Sequence, residues 1–394
     1  MCSRPCHASG KGIWLPAAMT SIELLVVLLL LAMTVPDACA WLGRPALAYP
    51  AFVCVGLLVG PLLRPEVGTL LQEAGQIGFV LLLFEVGLEI ELPPGRELRG
   101  PGLYVLRWVL PQYPVMLALA RLAGLSWHEA FIAAAAISAC AVGMAHTAWK
   151  NYPGLGGAAR PFALQVMVLL EVLAVLLLAV ETTALGSGAS WLIGLKLAGM
   201  AVVIYACSRV AVPLARLLQR VLEQATHWRL HLVAVLVLVA CAAGERLGLA
   251  GPKTAFFLGL FSSHVRHDDK TLEEYLAPIS RRFLIPLFFL ALGTLVPLGA
   301  LFSHVALLAV VAAALLIAFR SLLHARFARL GGDANAWLLL CPNFTMIALA
   351  ASSLLKAGAA PEVVAWLLLT GLALTLIALV ALPAQTERRP PTTS

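Results

Sequence analysis

Glu171 is the residue whose chemistry first needs a reason. It lies near the middle of the long apolar run Leu164–Ala184, LQVMVLLEVLAVLLLAVETTA. A charge at mid-membrane depth costs roughly 2.5–3.5 kcal/mol on insertion scales, so such a residue marks a functional site by default. Two further runs carry polar groups at their centres. One reads AFIAAAAISACAVGMAHTAW, with Ser138 and Cys140; the other reads AWLLLCPNFTMIALAASSLL, with Pro342 and Asn343. Pro342 lacks an amide hydrogen and clashes with the preceding turn. Opened backbone at that depth is tolerated only where it is buried in protein or lines a cavity.

The elements that must position these residues are membrane-crossing helices. Of 394 residues, 61% are hydrophobic and 12% charged, against about 45–50% and about 25% in soluble domains. A crossing helix needs about 20 apolar residues. Thirteen runs meet that template. The first seven lie at about 14–35, 43–62, 73–92, 103–123, 130–149, 161–184 and 189–210. The rest lie at about 229–248, 251–265, 281–300, 302–326, 335–356 and 362–383. The net charge of +7 is spread over short loops and gives no nucleic-acid signal. Five cysteines (Cys54, Cys140, Cys207, Cys241 and Cys341) fall inside apolar runs, and Cys2, Cys6 and Cys39 fall outside. No spacing suggests zinc or a disulfide framework. No nucleotide loop, metal cluster or nucleophile–base pair points to an enzyme, and no cofactor is implied.

With the N-terminus outside, the inner loops hold sixteen Lys and Arg and the outer ones seven, which predicts N-out, C-in. Arg4 and Lys11 before the first run, and Ala38-Cys39-Ala40 after it, also resemble a signal peptide. The run is long for that role, and a retained helix is expected. The chain also carries an internal repeat. Gly56 and Gly259 are 203 residues apart, Gly87 and Gly293 are 206, and Ser138 and Asn343 are 205. A near-constant offset implies two inverted halves. Broken helices at matching positions of such halves point to a midplane site.

The ordered set of motifs resembles the sodium/proton exchanger domain of the monovalent cation:proton antiporter-2 family, which includes glutathione-gated potassium efflux systems and bacterial sodium/proton antiporters. ALAYPAFVCVGLLVGP resembles its second helix, GQIGFVLLLFEVGLEIEL its third, and LAPISRRFLIPLFFLALGTLV its tenth, over roughly residues 20 to 383. The resemblance implies an all-α fold of about thirteen helices. It implies a tail at 1–12 and an exchanger-like domain at 13–384. Within that domain, a dimerisation part at about 13–100 and 229–300 faces a core part at about 103–184 and 302–383, joined by a linker helix at about 189–210. Residues 385–394 form a short tail, too short for a regulatory nucleotide-binding domain.

The family's sixth helix carries its ion-binding Asp where this chain has Val172, and the acid here, Glu171, is one residue earlier. In members with two acids the first pairs with a base on the eleventh helix, and Arg320 stands at that place. The fifth helix usually has a Ser-Ser/Thr pair and the twelfth Gly-Glu-Phe; here they read Ser138-Ala139-Cys140 and Pro342-Asn343-Phe344.

Glu171 thus has three readings: an alternately protonated and cation-bound carrier, a fixed partner of Arg320, or a neutral packed Glu. Arg320 cannot deprotonate; it is a counter-charge or lock, or it snorkels to an interface. Glu85, on the dimer-side helix by resemblance, either lines the aqueous funnel or sits in a vestibule without ion contact. Glu89 and Glu91 read as interfacial, His146 and Thr147 as helix-terminating, and Lys253 as a loop charge.

The first hypothesis is a monovalent cation (sodium or potassium):proton antiporter of the inner (plasma) membrane, working by alternating access and, by resemblance, as a homodimer. Glu171, Ser138, Cys140 and Asn343 would form the ion and proton site. One alternative is a transport-deficient scaffold or sensor with the same fold; another is a carrier of a different solute, such as an anion met by Arg320.

Overall fold

The structure is a computed structural model. It describes residues 21–63, 65–89, 99–184, 229–246, 251–263, 280–327 and 333–383, with isolated positions at 266–267, 270–272, 274, 276 and 330. The expected linker helix at about 189–210, the two tails and Glu91 lie outside the described residues, as do the side chains of Glu89, Thr147 and Lys253.

The first half runs α1 (Ser21–Trp41), α2 (Ala48–Val59), α3 (Pro65–Glu89), α4 (Arg99–Leu122), α5 (Trp127–Ser138), α6 (Val142–Asn151) and α7 (Ala159–Ala184). Then follow α8 (Arg229–Arg246), α9 (Gly251–Ser262), a π-helical turn (Ser280–Leu284) leading into α10 (Ile285–Thr294), and α11 (His304–Arg326). A 3-10 segment (Ala336–Leu340), α12 (Phe344–Lys356) and α13 (Pro361–Ala381) complete the described chain. Beside the helices, Arg266–His267 pairs antiparallel with Lys270–Thr271. Among the described residues, eight segments are long and apolar enough to cross a membrane. This is a multi-pass membrane protein whose described membrane-crossing segments are all helical.

Hydropathy alone misplaces some starts. The third run, read from about 73, begins as a helix at Pro65. Proline suits a first helical position because its missing N–H would be unpaired there. Glu66, Gln72 and Glu73 continue the helix while lowering its hydropathy. The start of α5 is set by a capping box: Ser126 N donates to Glu129 Oε2 at 2.7 Å, and Glu129 N to Ser126 Oγ at 3.4 Å.

The repeated glycines mark two close crossings. An added methyl at Gly56 would meet Leu290 O at 2.0 Å and Gly293 Cα at 3.1 Å; one at Gly87 would meet Phe256 O at 2.2 Å and Gly259 Cα at 3.0 Å. So α2 crosses α10 at Gly56/Gly293, and α3 crosses α9 at Gly87/Gly259. The repeat pairs Gly56 with Gly259 and Gly87 with Gly293. Each crossing is therefore the other under the swap of halves, as an inverted repeat requires. Backbone touches backbone at both, which only small residues permit. A second set of contacts joins α4, α5 and α7, and links α13 to α11 and α12; α12 packs on α5 and α7.

Candidate ion and proton site

Both interrupted helices are broken where the polar residues lie. α5 ends at Ser138, residues 139–141 are non-helical, and α6 restarts at Val142. The second break runs from Leu340 to Phe344 through Cys341, Pro342 and Asn343. The two breaks cross in contact. Ala141 N donates to Pro342 O at 2.6 Å, and the Cys140 thiol donates to Leu339 O at 3.3 Å. Ala133, Ala134, Ala135 and Ala136, all fully buried, leave room for the approach.

A broken helix exposes carbonyls at one cut end and N–H groups at the other, with partial negative and positive charge respectively. Each end of the α5/α6 break is met by the complementary group. Ile137 O, at the end of α5, accepts Arg320 Nη2 at 2.6 Å and Asn343 Nδ2 at 2.9 Å. Val142 N, at the start of α6, donates to Glu171 Oε2 at 3.0 Å. Glu171, Arg320 and Asn343 are all fully buried. The second break has a neutral counterpart: Asn343 N donates to Thr375 Oγ1 at 3.4 Å.

Arg320 is held from a further side. Its Nε donates to Gln112 Oε1 at 2.8 Å, and Gln112 Nε2 donates to Trp108 O at 2.6 Å. The Cys341 thiol lies beside the guanidinium. Cys140, fully buried in the break itself, lies within electrostatic reach of both Glu171 and Arg320. Ser138 takes a different part, donating its hydroxyl to Ala135 O in its own helix at 2.9 Å.

The structure thus brings Glu171, Cys140, Asn343 and Arg320 together. Glu85 belongs elsewhere: buried on α3, it accepts from Ser280 Oγ and from Arg281 Nε at 3.1 Å. Arg281–Glu85 is an ion pair between α3 and the π-helical turn. His146 is exposed and stacks on Trp149 at 5.2 Å. Gln112 and Thr375, both fully buried, join the site without having been singled out in the sequence. Gln112 had a signal, an amide between Pro111 and Pro114 in an apolar run. A threonine in a run as apolar as α13 gives almost none.

At the first turn of α7, Arg160 fixes how α6 hands over to α7. It donates to the carbonyls of Lys150, Tyr152 at 2.9 Å and Leu155 at 2.9 Å. A cation at a helix C-terminus is favoured, and here it also ties the end of α6 to the start of α7, which carries Glu171. Burial, and then the Asp333 carboxylate, push the Tyr152 phenol up to about 12.

Crossed broken helices joined to reciprocal glycine crossings define a membrane protein of the inverted-repeat carrier type. The sodium/hydrogen exchanger transmembrane family matches residues 25–385, and the chain belongs to it. YjbQ of Bacillus subtilis (strain 168), which bears the name of a Na(+)/H(+) antiporter, is 28% identical over 315 residues, 73% of this chain. Those residues are 49% of YjbQ, so the chain spans about half the length of that relative. The solved structure of the sodium proton antiporter MjNhaP1 from Methanocaldococcus jannaschii at pH 8 superposes with a TM-score of 0.64. That superposition covers 91% of this chain and 95% of MjNhaP1 at 14% identity, a likeness of fold.

Proposed function

We propose that the chain exchanges a monovalent cation, sodium or potassium, for a proton by alternating access. Glu171 is the shared carboxylate in this reading. The observation that carries it is a fully buried carboxylate on α7 whose Oε2 accepts from the first N–H of a half-helix. Such a group has to be neutralised to cross a membrane cheaply. A proton or a monovalent cation does so, and one excludes the other. Desolvation favours the neutral carboxyl, while the Val142 N–H and the Arg320 charge favour the carboxylate. Those opposing terms let a proton compete with a cation. Arg320 is the fixed counter-charge, and Asn343 and Cys140 line the crossing. Ser138 stays in the site as a second-turn support of the break.

In this reading α4–α7 and α11–α13 form the moving core, and α1–α3 with α8–α10 form the dimerisation part. The first helix is retained, the N-terminus is outside and the C-terminus is cytoplasmic. The protein acts in the plasma membrane as a homodimer. Glu85 sits in a dimer-side vestibule, paired with Arg281, and makes no contact with the transported cation. The test is cation flux into proteoliposomes driven by a pH gradient, with sodium and potassium compared. Glu171→Gln is expected to abolish flux in both; exchange at the unsubstituted rate would remove Glu171 from the carrier role.

Val172 favours a second reading, a protein that keeps the fold and has lost exchange. It occupies the position of the family's aspartate, and its side chain can hold neither sodium nor a proton. Val172→Asp separates the two. Proton flux created by that substitution in a chain otherwise silent would support the second reading.

A further inference from the structure

Arg320 is the only described cation bonded to the crossing, and what holds it is an amide rather than a carboxylate. Gln112 is fully buried on α4. Its Oε1 accepts from Arg320 Nε at 2.8 Å, and its Nε2 donates to Trp108 O at 2.6 Å, one turn back along α4. Arginine only donates, so the amide must turn its oxygen to the guanidinium. The Trp108 carbonyl then takes the other end, so the amide is fixed at both ends. Nη2 is committed to Ile137 O at 2.6 Å. Nη1 makes no hydrogen bond to a described oxygen or nitrogen.

We infer that Gln112 is a positioning residue of the site. It anchors the Arg320 guanidinium on the cut end of α5 and leaves its charge uncancelled, and it thereby sets how tightly Glu171 holds its proton. This rests on the reading of Glu171 as the exchanging carboxylate. A carboxylate at 112 would anchor Arg320 equally well but would neutralise it. An apolar side chain would preserve the charge but release Nε, freeing the guanidinium to turn from Ile137 O toward Glu171. A buried glutamine satisfies both demands. Among the described residues, the buried Cys140 thiol lies near Glu171 and Arg320, the buried Cys341 thiol lies near Arg320, and the buried Tyr104 phenol on α4 lies near Cys341. His146 on α6 is exposed.

The test titrates Glu171 itself, in the full chain in detergent, by the infrared band of its protonated carboxyl. The band is assigned by its loss in Glu171→Gln. In Gln112→Glu the midpoint is expected to move alkaline by about one pH unit or more, because Arg320 no longer favours the carboxylate. The added carboxyl is identified with the double variant Gln112→Glu/Glu171→Gln. In Gln112→Met, close in volume, the midpoint is expected to move acid as Arg320 turns toward Glu171. A merely structural role would lower the melting temperature of both variants and leave both midpoints where they were. Unshifted midpoints in the folded variants overturn the inference, as does a Glu171 band absent at every pH at which the chains stay folded. Exchange in liposomes is read separately: a chain without flux but with shifted midpoints keeps the role of Gln112 and loses the proposed function.

Discussion

Arg320 and Glu171 bracket one helix break from its two sides. Arg320 Nη2 reaches Ile137 O at the end of α5, at 2.6 Å, and Glu171 Oε2 meets Val142 N at the start of α6, at 3.0 Å. Each charge faces the helix end of opposite sign, an arrangement worth up to about 2 kcal/mol per end in partly buried settings. The break therefore holds one fixed cation and one anion, linked through three residues of opened chain. Adding a proton or a monovalent cation to Glu171 raises the site's charge by the same single unit.

That equality predicts the stoichiometry. Among the described residues, Glu171 is the carboxylate bonded to the crossing, while Glu85 is bonded to Ser280 and Arg281. If Glu171 is the exchanging carboxylate proposed above, one proton is expected to be released per monovalent cation bound, with the core carrying equal charge in both directions. Exchange in proteoliposomes should then keep its rate when a membrane potential of either sign is imposed. Acceleration by one sign and slowing by the other would mean that a second group titrates.

Arg320 is predicted to be indispensable to the fold as well as to the site. Arg320→Met would leave the Gln112 oxygen bare and Glu171 without its counter-charge. Removing one member of a buried charge set costs about 3–5 kcal/mol. Arg320→Lys keeps the charge but cannot reach Gln112 and Ile137 O together, because an ammonium lacks the planar fork. Thermal unfolding in detergent should rank the unsubstituted chain above Lys, and Lys above Met. Equal midpoints for Lys and Met would show that geometry alone, and not charge, matters at this position.

What the sequence revealed and what it hid divide along physical lines. The membrane class, the two broken runs and the glycine repeat were legible, because hydropathy, Pro342 and a fixed offset are properties of the chain itself. The Gly56/Gly259 spacing was legible as a repeat, but not that Gly56 touches Gly293; contact across a pseudo-two-fold exchanges the partners. The break after Ser138 carries no proline or glycine, since residues 139–141 read Ala-Cys-Ala. Its cause is tertiary: Arg320, Asn343 and Glu171 satisfy the opened groups, and none of them is near in sequence. The role of Gln112 is hidden for the same reason. A lone amide in an apolar run has meaning only once the residue it anchors is known.

The glycine crossings give a stability prediction. In Gly87→Ala the new methyl would lie 2.2 Å from Phe256 O, a backbone atom that cannot move without its helix. Overpacking of this kind costs about 1–3 kcal/mol. Gly68→Ala is the control on the same helix, since nothing lies within 4 Å of its added methyl. The melting temperature should fall in the first variant and hold or rise slightly in the second. A tolerated Gly87→Ala would mean that α3 and α9 are free to separate.

Tyr152 yields the pH prediction. Its phenol follows α6 and faces Asp333, whose carboxylate oxygen also lies 1.9 Å from a methyl placed on Gly154. Burial first, and the negative charge of Asp333 second, push the phenol from an ordinary 10.0 up to about 12. The folded chain thus holds this proton more tightly than the unfolded one. The stabilisation is fully present below the unfolded value near 10.0 and is lost as pH rises through about 12. The ultraviolet difference between the unsubstituted chain and Tyr152→Phe should show one phenol ionising late, well above the ordinary 10.0. Asp333→Asn should bring that step toward 10.0 without abolishing the shift, because burial remains the larger cause. A Tyr152 step already at the ordinary value in the folded chain would mean that the contact between the loop after α6 and Asp333 does not persist in solution.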